Sequence, residues 1–312
     1  MEGNVKRIIA AGLAVFFLIG VLPYFLDFLH NRQNQDNLQI KMLLSDGSIK
    51  FLPLEEYLIG VVAAEMPAEF EIEALKAQSV AARTYVLKRM ENNRENSNSY
   101  DVDITEKTQV WNSKQQMLRK WGIINYHKNR GKIARAVEAT KGEFLTYKGP
   151  KIEAVYSSSC GRKDTERSGD VWVGNMDYLI SVPSNEVSPL RFVNNQTFDI
   201  ATFYSLLGYN RIPSQFEADA IVILERTNAG RVKSLRVGNE VFKATDFRAK
   251  LSLPSTDFEW KVEAQKIEFI TYGKGHAVGM SQYGANDMAK AGNDYTKILQ
   301  HYYPGTKIEK LR

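Results

Sequence analysis

Glu65 is the residue whose setting best suits acid–base chemistry. It is a single carboxylate within the run Val61–Pro67 (VVAAEMP), at the predicted end of a helix. Apolar neighbours disfavour its charged form, and the negative end of the helix dipole disfavours that form again, so both raise its pKa. A carboxyl group that stays protonated near neutral pH is what a general acid for glycosidic cleavage requires. Taken alone, however, the local sequence fits better a helix-end glutamate that simply extends into water.

Two further segments carry polar side chains suited to a ligand rich in hydroxyl and amide groups. YSSSCG starts at Tyr156 and places three serines at the end of a predicted strand. GKGHAVGMSQYGA starts at Gly273, and its glycines permit close backbone approach. A serine-rich loop, a buried inert thiol at Cys160 and a tight turn with a capping histidine are the plainer interpretations. The candidate binding residues of the two segments are Ser157, Ser158, Ser159, His276, Ser281, Gln282 and Tyr283.

Cationic side chains offer a second kind of binding group. Arg83 has mostly apolar neighbours at helical spacing. It therefore either needs an anionic partner in a buried site or lays its stem over apolar surface with its head in water. The stretch from Thr105 to Arg135 is strongly basic, with Trp111 and Trp121 interleaved. Such a stretch can bind carbohydrate or nucleic acid, although a solvated face is its usual explanation.

The elements that must position these residues are predicted to be helices and antiparallel strands in separate runs, an α+β fold. A hairpin around Asp46 and Gly47 precedes a helix that starts near Pro53 and stops near Met66, before Pro67. The alanine-rich segment from Glu71 to Met90 predicts a long helix. The remaining predictions are a helix at Gly131–Thr140, two strands within Glu143–Tyr156, a smaller β-rich subdomain around residues 190–260, and terminal helices at His276–Ala291 and Tyr295–Tyr302.

Composition limits the function classes. The chain has 312 residues, 44% hydrophobic and 25% charged, which excludes disordered, collagen-like and coiled-coil proteins. A net charge of +5 allows an anionic partner without requiring nucleic acid. A single cysteine excludes an internal disulfide and a cysteine-rich zinc cluster, and the histidines are too scattered to predict a metal site. We expect neither metal nor cofactor.

The N-terminus predicts the compartment. Ile8–Leu26 is an uncharged run behind Lys6 and Arg7 that would span roughly 28 Å as a helix, close to the thickness of a bilayer. Positive flanks stay in the cytoplasm. A cleaved signal peptide is the alternative, but no small-x-small cleavage site follows the run. We expect residues 1–30 to be a cytoplasmic stub and transmembrane anchor, and residues 31–312 an extracytoplasmic ectodomain.

Together, five motifs resemble the stage II sporulation protein D family of sporulation lytic transglycosylases, which is related to amidase enhancers. The motifs are EEYLIGVVAAEMP from Glu55, EALKAQSVAARTYVL from Glu73, YSSSCG from Tyr156, GKGHAVGMSQYGANDMAKAG from Gly273 and YTKILQHYYPGTKI from Tyr295. They cover nearly the whole predicted ectodomain. The resemblance implies that Glu65 is the catalytic glutamate and Arg83 a functional arginine. Ala277 departs from the family pattern, which often has glycine there.

The resemblance implies an enzyme that cleaves peptidoglycan glycan strands during engulfment, on the mother-cell side of the sporulation septum. It implies two partners, an amidase (stage II sporulation protein P) and a membrane protein (stage II sporulation protein M). A lytic transglycosylase needs one acidic residue, here Glu65, because the substrate supplies its own nucleophile. The alternatives are a non-catalytic wall-binding module that stimulates an amidase, and an ordinary two-carboxylate glycosidase. We expect Arg83 to face the cleft and bind the carboxylates of denuded strands.

Overall fold

The computed structural model describes Phe17 and residues 38–311, apart from residues 96–98, 105–107, 173, 189, 217–218 and 264. Over these residues the chain mixes helices and strands, which confirms the predicted α+β class. Within the same part of the chain, no helix is both long and apolar enough to cross a bilayer. The predicted anchor at Ile8–Leu26 lies, except for Phe17, outside the described residues.

The helices are α1 (Leu54–Glu65), α2 (Ile72–Glu95), α3 (Lys114–Ala139), α4 (Ser168–Val171), α5 (Ile200–Leu207), α6 (Ala244–Lys250), α7 (Gln282–Lys290) and α8 (Tyr295–Tyr302). The strands are β1 (Gln39–Leu43), β2 (Ile49–Pro53), β3 (Val102–Asp103), β4 (Glu143–Thr146), β5 (Tyr156–Ser157), β6 (Val193–Asp199), β7 (Ile221–Arg226), β8 (Val232–Val237), β9 (Glu240–Lys243), β10 (Phe258–Glu263), β11 (Lys266–Tyr272), β12 (Met280–Ser281) and β13 (Lys307–Lys310).

Helices α1, α2 and α3 pack against one another and form the centre of the main hydrophobic core. Helix α1 ends at Glu65 because Pro67 keeps Met66 in an extended conformation. Helix α3 starts at a capping box formed by Ser113 and Gln116, and it bends at Gly122, whose φ is +71°. The sequence predicted only the last turns of α3, because Gly122 and Gly131 interrupt its helical pattern.

Strand pairing joins distant parts of the chain. β1 and β2 form the predicted antiparallel hairpin, and β3 joins β1 in parallel. Of the two strands predicted within Glu143–Tyr156, the first is β4, whereas the second is reduced to β5 at the end of the segment; β4 pairs with β13 and β5 pairs with β12. The β5–β12 pair is parallel, with Tyr156 opposite Met280 and Ser157 opposite Ser281. The expectation of antiparallel strands therefore fails for β1–β3 and β5–β12.

The turn before β12 replaces the start of a predicted helix. Gly275, Ala277 and Gly279 have φ values of +118°, +61° and +72°, which a right-handed helix does not allow. Helix α7 therefore begins at Gln282 rather than His276, whereas α8 has the predicted bounds. The turn is tight because a Cβ at Gly279 would lie 2.1 Å from the Val155 carbonyl oxygen.

A second hydrophobic core lies within residues 193–272, which we call the small lobe. Two antiparallel sheets, β10–β11–β6 and β7–β8–β9, accompany α5 and α6 in this lobe. A buried ion pair between Glu166 and Arg231, 3.1 Å apart, connects the lobe to the loop after β5. Arg231 also donates to the backbone oxygen of Cys160 at 2.7 Å. The division that the sequence placed around residues 190–260 stays a prediction.

Candidate active site

A cleft of about 780 Å³ opens where the C-terminal end of α1 meets β5, the turn before β12 and the first residue of α7. The small lobe contributes Arg248 and Pro254 to its wall. The β5–β12 pair brings the YSSSCG segment beside the histidine-containing turn. Of the residues predicted from the sequence, the cleft is lined by Glu65, Ser157, Ser158, His276 and Gln282.

Glu65 is half-buried at the end of α1, with its carboxylate in the cleft. The Val110 backbone N–H donates to its Oε1 at 3.2 Å, and Gln282 Nε2 donates to its Oε2 at 3.5 Å. Burial first, and then the negative charge of Glu65, raise the pKa of the Tyr156 phenol well above its usual value. Tyr156 therefore stays protonated beside the carboxylate, and its oxygen accepts a hydrogen bond from Gln109 at 2.9 Å.

The segment that carries Val110 is held against α1 by a close contact. Gly60 leaves room for the Trp111 indole, since a Cβ at Gly60 would lie 2.0 Å from Trp111 Nε1. The Asn112 backbone N–H donates to the Gly60 oxygen at 3.1 Å, and its side-chain amide donates to the Ala63 oxygen at 3.3 Å. These contacts fix the N–H of Val110 over Glu65.

His276 is held as a neutral ring at the cleft wall. Its Nδ1 accepts a hydrogen bond from the Val278 backbone N–H at 3.0 Å, which leaves Nε2 to carry the proton. Burial, with a smaller contribution from the positive charge of Arg248, lowers the pKa of His276 to about 4. Near neutral pH this side chain is therefore a hydrogen-bonding group rather than a source of protons.

Ser157 and Gln282 present polar groups to the cleft. Ser157 Oγ is buried and has no hydrogen-bond partner within the described chain, so it is available to a bound ligand. Gln282 is fixed at the start of α7, where Ser281 Oγ accepts from the Gly284 N–H at 3.1 Å. The Gln282 amide also lies 3.4 Å from Gln78 Oε1, which orients it toward Glu65.

Arg83 does not line the cleft, contrary to the expectation from the sequence. It is fully buried under α1 and forms a two-point ion pair with Glu55, at 3.0 Å from Nε and 2.6 Å from Nη2. Its remaining donors reach the backbone oxygens of Glu143 and Val137 at 3.1 and 3.2 Å, and Thr140 Oγ1 at 3.5 Å. The anionic partner that the apolar helix face required is thus a carboxylate of the protein itself.

Ser159 and Ser281 also differ from expectation, because both bind a half-buried carboxylate, that of Glu186, instead of lining the cleft. Ser159 Oγ donates to Glu186 Oε2 at 2.5 Å, and Ser281 Oγ donates to Glu186 Oε1 at 2.8 Å. The Cys160 N–H donates to the same carboxylate at 2.6 Å. Glu186 therefore joins the two segments that frame the cleft, and burial raises its pKa despite these hydrogen bonds.

Tyr283 and Cys160 likewise lie outside the cleft wall. The Tyr283 ring packs edge-on against Phe70 and Phe192. The backbone N–H of Tyr283 donates to the backbone oxygen of Ser158 at 3.1 Å. Cys160 is buried, and this burial raises its pKa to about 12, so the thiol is not a nucleophile. Both residues support the neighbouring serines rather than contacting a ligand.

Several cleft residues were not predicted from the sequence. Lys274 and Arg248 are cations on its wall, Trp172 and Tyr85 are aromatic, and Gln109 lies under the Tyr156 hydroxyl. Lys274 was inside a motif already recognised, where its position two residues before His276 could have indicated a cleft cation. Arg248 and Trp172 lie in segments with no recognisable motif, and only the docking of the small lobe brings Arg248 to the site.

Comparison with known proteins places the chain in a family. The model of the stage II sporulation protein (SpoIID) family matches residues 45–147, which include α1, α2 and Glu65. The chain is 41% identical over 271 residues to stage II sporulation protein D of Bacillus amyloliquefaciens, covering 85% of this chain and 77% of that protein. The corresponding protein of Bacillus subtilis (strain 168) is 40% identical over 270 residues, with the same coverage. The chain belongs to the stage II sporulation protein D family, a family of sporulation proteins.

The chain is also similar to a larger protein with a different name. The amidase enhancer of Bacillus subtilis (strain 168) is 29% identical over 301 residues, which cover 80% of this chain but 40% of the enhancer.

Proposed function

We propose that this protein is a peptidoglycan lytic transglycosylase that cleaves between MurNAc and GlcNAc in denuded glycan strands during spore engulfment. The observation that carries the proposal is that Glu65 is the only carboxylate among the described residues lining the cleft. A two-carboxylate glycosidase needs a second acid across the scissile bond, whereas an intramolecular transglycosylase does not. The named relatives are consistent with a role in sporulation.

The reaction uses Glu65 twice. As an acid, it donates a proton to the glycosidic oxygen, and the bond between MurNAc C1 and that oxygen breaks. As a carboxylate, it then accepts the proton of the MurNAc C6 hydroxyl while that oxygen bonds to C1. The products are a 1,6-anhydro end and a GlcNAc with a free 4-hydroxyl, and no water is consumed. The N–H of Val110 and the amide of Gln282 stabilise the carboxylate between the two transfers.

Neighbouring groups bind and orient the strand. Ser157 Oγ can bond sugar hydroxyls and N-acetyl groups, and His276 forms the cleft wall beside it. The lactyl carboxylates that a denuded strand exposes are complementary to Lys274 and Arg248 on the cleft wall. Lys274 and Arg248 would therefore bind the strand carboxylates, the role that the sequence analysis assigned to Arg83.

The test is product analysis with the full-length chain and purified denuded strands. Mass spectrometry should detect 1,6-anhydro ends. These are lighter than the ends of hydrolysis products by one water, about 18 Da. Glu65→Gln should abolish these ends while leaving strand binding and folding intact, because glutamine keeps the shape and one of the two hydrogen-bond acceptors but donates no catalytic proton. Reducing ends would contradict transglycosylation. Activity in Glu65→Gln would contradict the acid role.

The second candidate is a non-catalytic wall-binding module that stimulates an amidase, favoured by the similarity to the amidase enhancer. In that case the purified chain would bind strands without cleaving them, and it would raise the rate of an added amidase. Glu65→Gln would then retain full stimulation, which separates the two candidates in one experiment.

We further propose that residues 1–30 hold the protein in the cell membrane with the C-terminal part outside the cytoplasm, on the mother-cell side of the septum. Its partners there would be an amidase, stage II sporulation protein P, and a membrane protein, stage II sporulation protein M. The basis is Lys6 and Arg7 followed by the uncharged run Ile8–Leu26. Recovery of a soluble form trimmed near residue 30 would contradict the membrane anchor. Failure to co-purify either partner from detergent would contradict the proposed complex.

A further inference from the structure

A second concavity adjoins the cleft and is not used by the proposed reaction. It has a volume of about 530 Å³ and lies between α4 and the small lobe, and we call it the side cavity. Trp172, directly after α4, lines both the cleft and the side cavity. The two concavities therefore adjoin at the indole, and we call them together the groove.

The indole of Trp172 is placed as a platform. The residue remains 38% exposed, although a tryptophan is normally buried to a large extent. The ring packs against His276, with centroids 5.0 Å apart and planes inclined by 55°. One part of the indole is thus braced by the cleft wall while the rest faces the groove. An exposed aromatic ring of this kind suits the apolar face of a pyranose.

The side cavity is polar in a manner suited to hydroxyl and amide groups. Asp170 is 15% exposed, and its Oδ1 is 3.4 Å from Lys233 Nζ. Its Oδ2 is buried and has no hydrogen-bond partner within the described chain. A buried carboxylate oxygen without a donor is costly, so a ligand hydroxyl or amide would satisfy it. Thr245 and the exposed Lys243 add a hydroxyl and a cation to the same wall.

We propose that the side cavity binds further sugars of the same glycan strand, which leave the cleft across Trp172. This inference rests on the proposed function, because it assumes that the cleft holds a glycan. The occupant is an oligosaccharide rather than an isolated small ligand, since Trp172 lines both concavities, and its hydroxyl and amide groups suit a wall that carries Asp170, Glu225 and Asp246 beside Lys233 and Lys243. The small lobe would then make the protein select long strands over short fragments.

The experiment measures binding by the full-length chain in detergent in the Glu65→Gln background, so that no strand is cleaved. Denuded strands of several disaccharides are compared with a single disaccharide. Trp172→Ala should weaken binding of long strands by about tenfold, and Trp172→Phe should restore most of it. Lys243→Ala and Asp170→Asn should weaken long strands by about threefold or more and leave the disaccharide unchanged. Lys261→Ala, an exposed lysine on another strand of the same lobe, is the matched control.

The outcomes separate this proposal from the proposed reaction. Unchanged affinity for long strands in Trp172→Ala, Lys243→Ala and Asp170→Asn would overturn the side cavity while leaving the reaction standing. Length-dependent binding through these residues, together with absence of 1,6-anhydro products from the parent chain, would support the groove and overturn the reaction. Failure of long strands to bind at all would overturn both.

Discussion

Replacement of Arg83 distinguishes a structural arginine from a substrate-binding one. In the structure its guanidinium is fully buried and makes two hydrogen bonds to Glu55 and three more to Val137, Thr140 and Glu143. Arg83→Met removes all of these and leaves the Glu55 carboxylate, whose side chain is 17% exposed, without its cation. We therefore expect Arg83→Met to destabilise the fold rather than merely to weaken substrate binding.

The magnitude follows from the burial of the pair. Removing one member of a buried ion pair costs about 3–5 kcal/mol, because the remaining charge is uncompensated. That loss is a large fraction of the 5–15 kcal/mol that typically holds a domain folded. Arg83→Lys keeps the charge but cannot reproduce the planar two-point contact, so about 2 kcal/mol should be lost.

The assay is urea unfolding of the full-length chain, followed by tryptophan fluorescence, with cleavage rates measured at a temperature where each variant is folded. Arg130→Met is a matched control, because Arg130 pairs at 2.9 Å with the next residue of α1, Glu56, at side-chain exposures of 32% and 48%. It should cost no more than about 1 kcal/mol. The reasoning is refuted if Arg83→Lys keeps the parent unfolding midpoint and still loses cleavage, since the arginine would then act on substrate.

The remaining predictions concern pH and packing. The pKa of His276 is lowered to about 4 from 6.5, so the unfolded chain binds a proton that the folded chain does not as the pH falls below about 6.5. The free energy of unfolding should fall by up to about 3 kcal/mol between pH 6.5 and 4. Urea titrations at several pH values should show that His276→Asn flattens this pH dependence. An unchanged pH dependence in His276→Asn would contradict the assignment of the effect to His276. Gly60→Ala should destabilise by about 1–3 kcal/mol and lower the cleavage rate, because a Cβ would displace Trp111 and with it Val110. Gly131 is a helical glycine with open space around its Cβ position, so Gly131→Ala should instead stabilise the fold by about 0.5–1 kcal/mol. Equal effects of Gly60→Ala and Gly131→Ala in thermal unfolding would contradict this account.

The sequence determined much of what depends on neighbours along the chain. Pro67 ends the helix beside Glu65, Asp46 and Gly47 make the hairpin turn, and the alanine-rich segment forms α2. Each of these is a local preference of φ and ψ or of helix propensity, so a short window contains the cause. The motif order also identified the family, which the comparisons confirm.

Contacts between distant segments decided the rest of the site. Arg83 looked like a ligand-binding arginine because the positions one turn away on its own helix carry no anion, and the partner, Glu55, comes from α1. Ser159 and Ser281 looked available because Glu186, which binds both, lies in a loop with no pattern of its own. Trp172 becomes part of the groove only when the small lobe packs beside it. A sequence shows which polar groups need partners, but burial and close packing select those partners from anywhere in the chain, and only the tertiary structure determines which groups remain for a ligand.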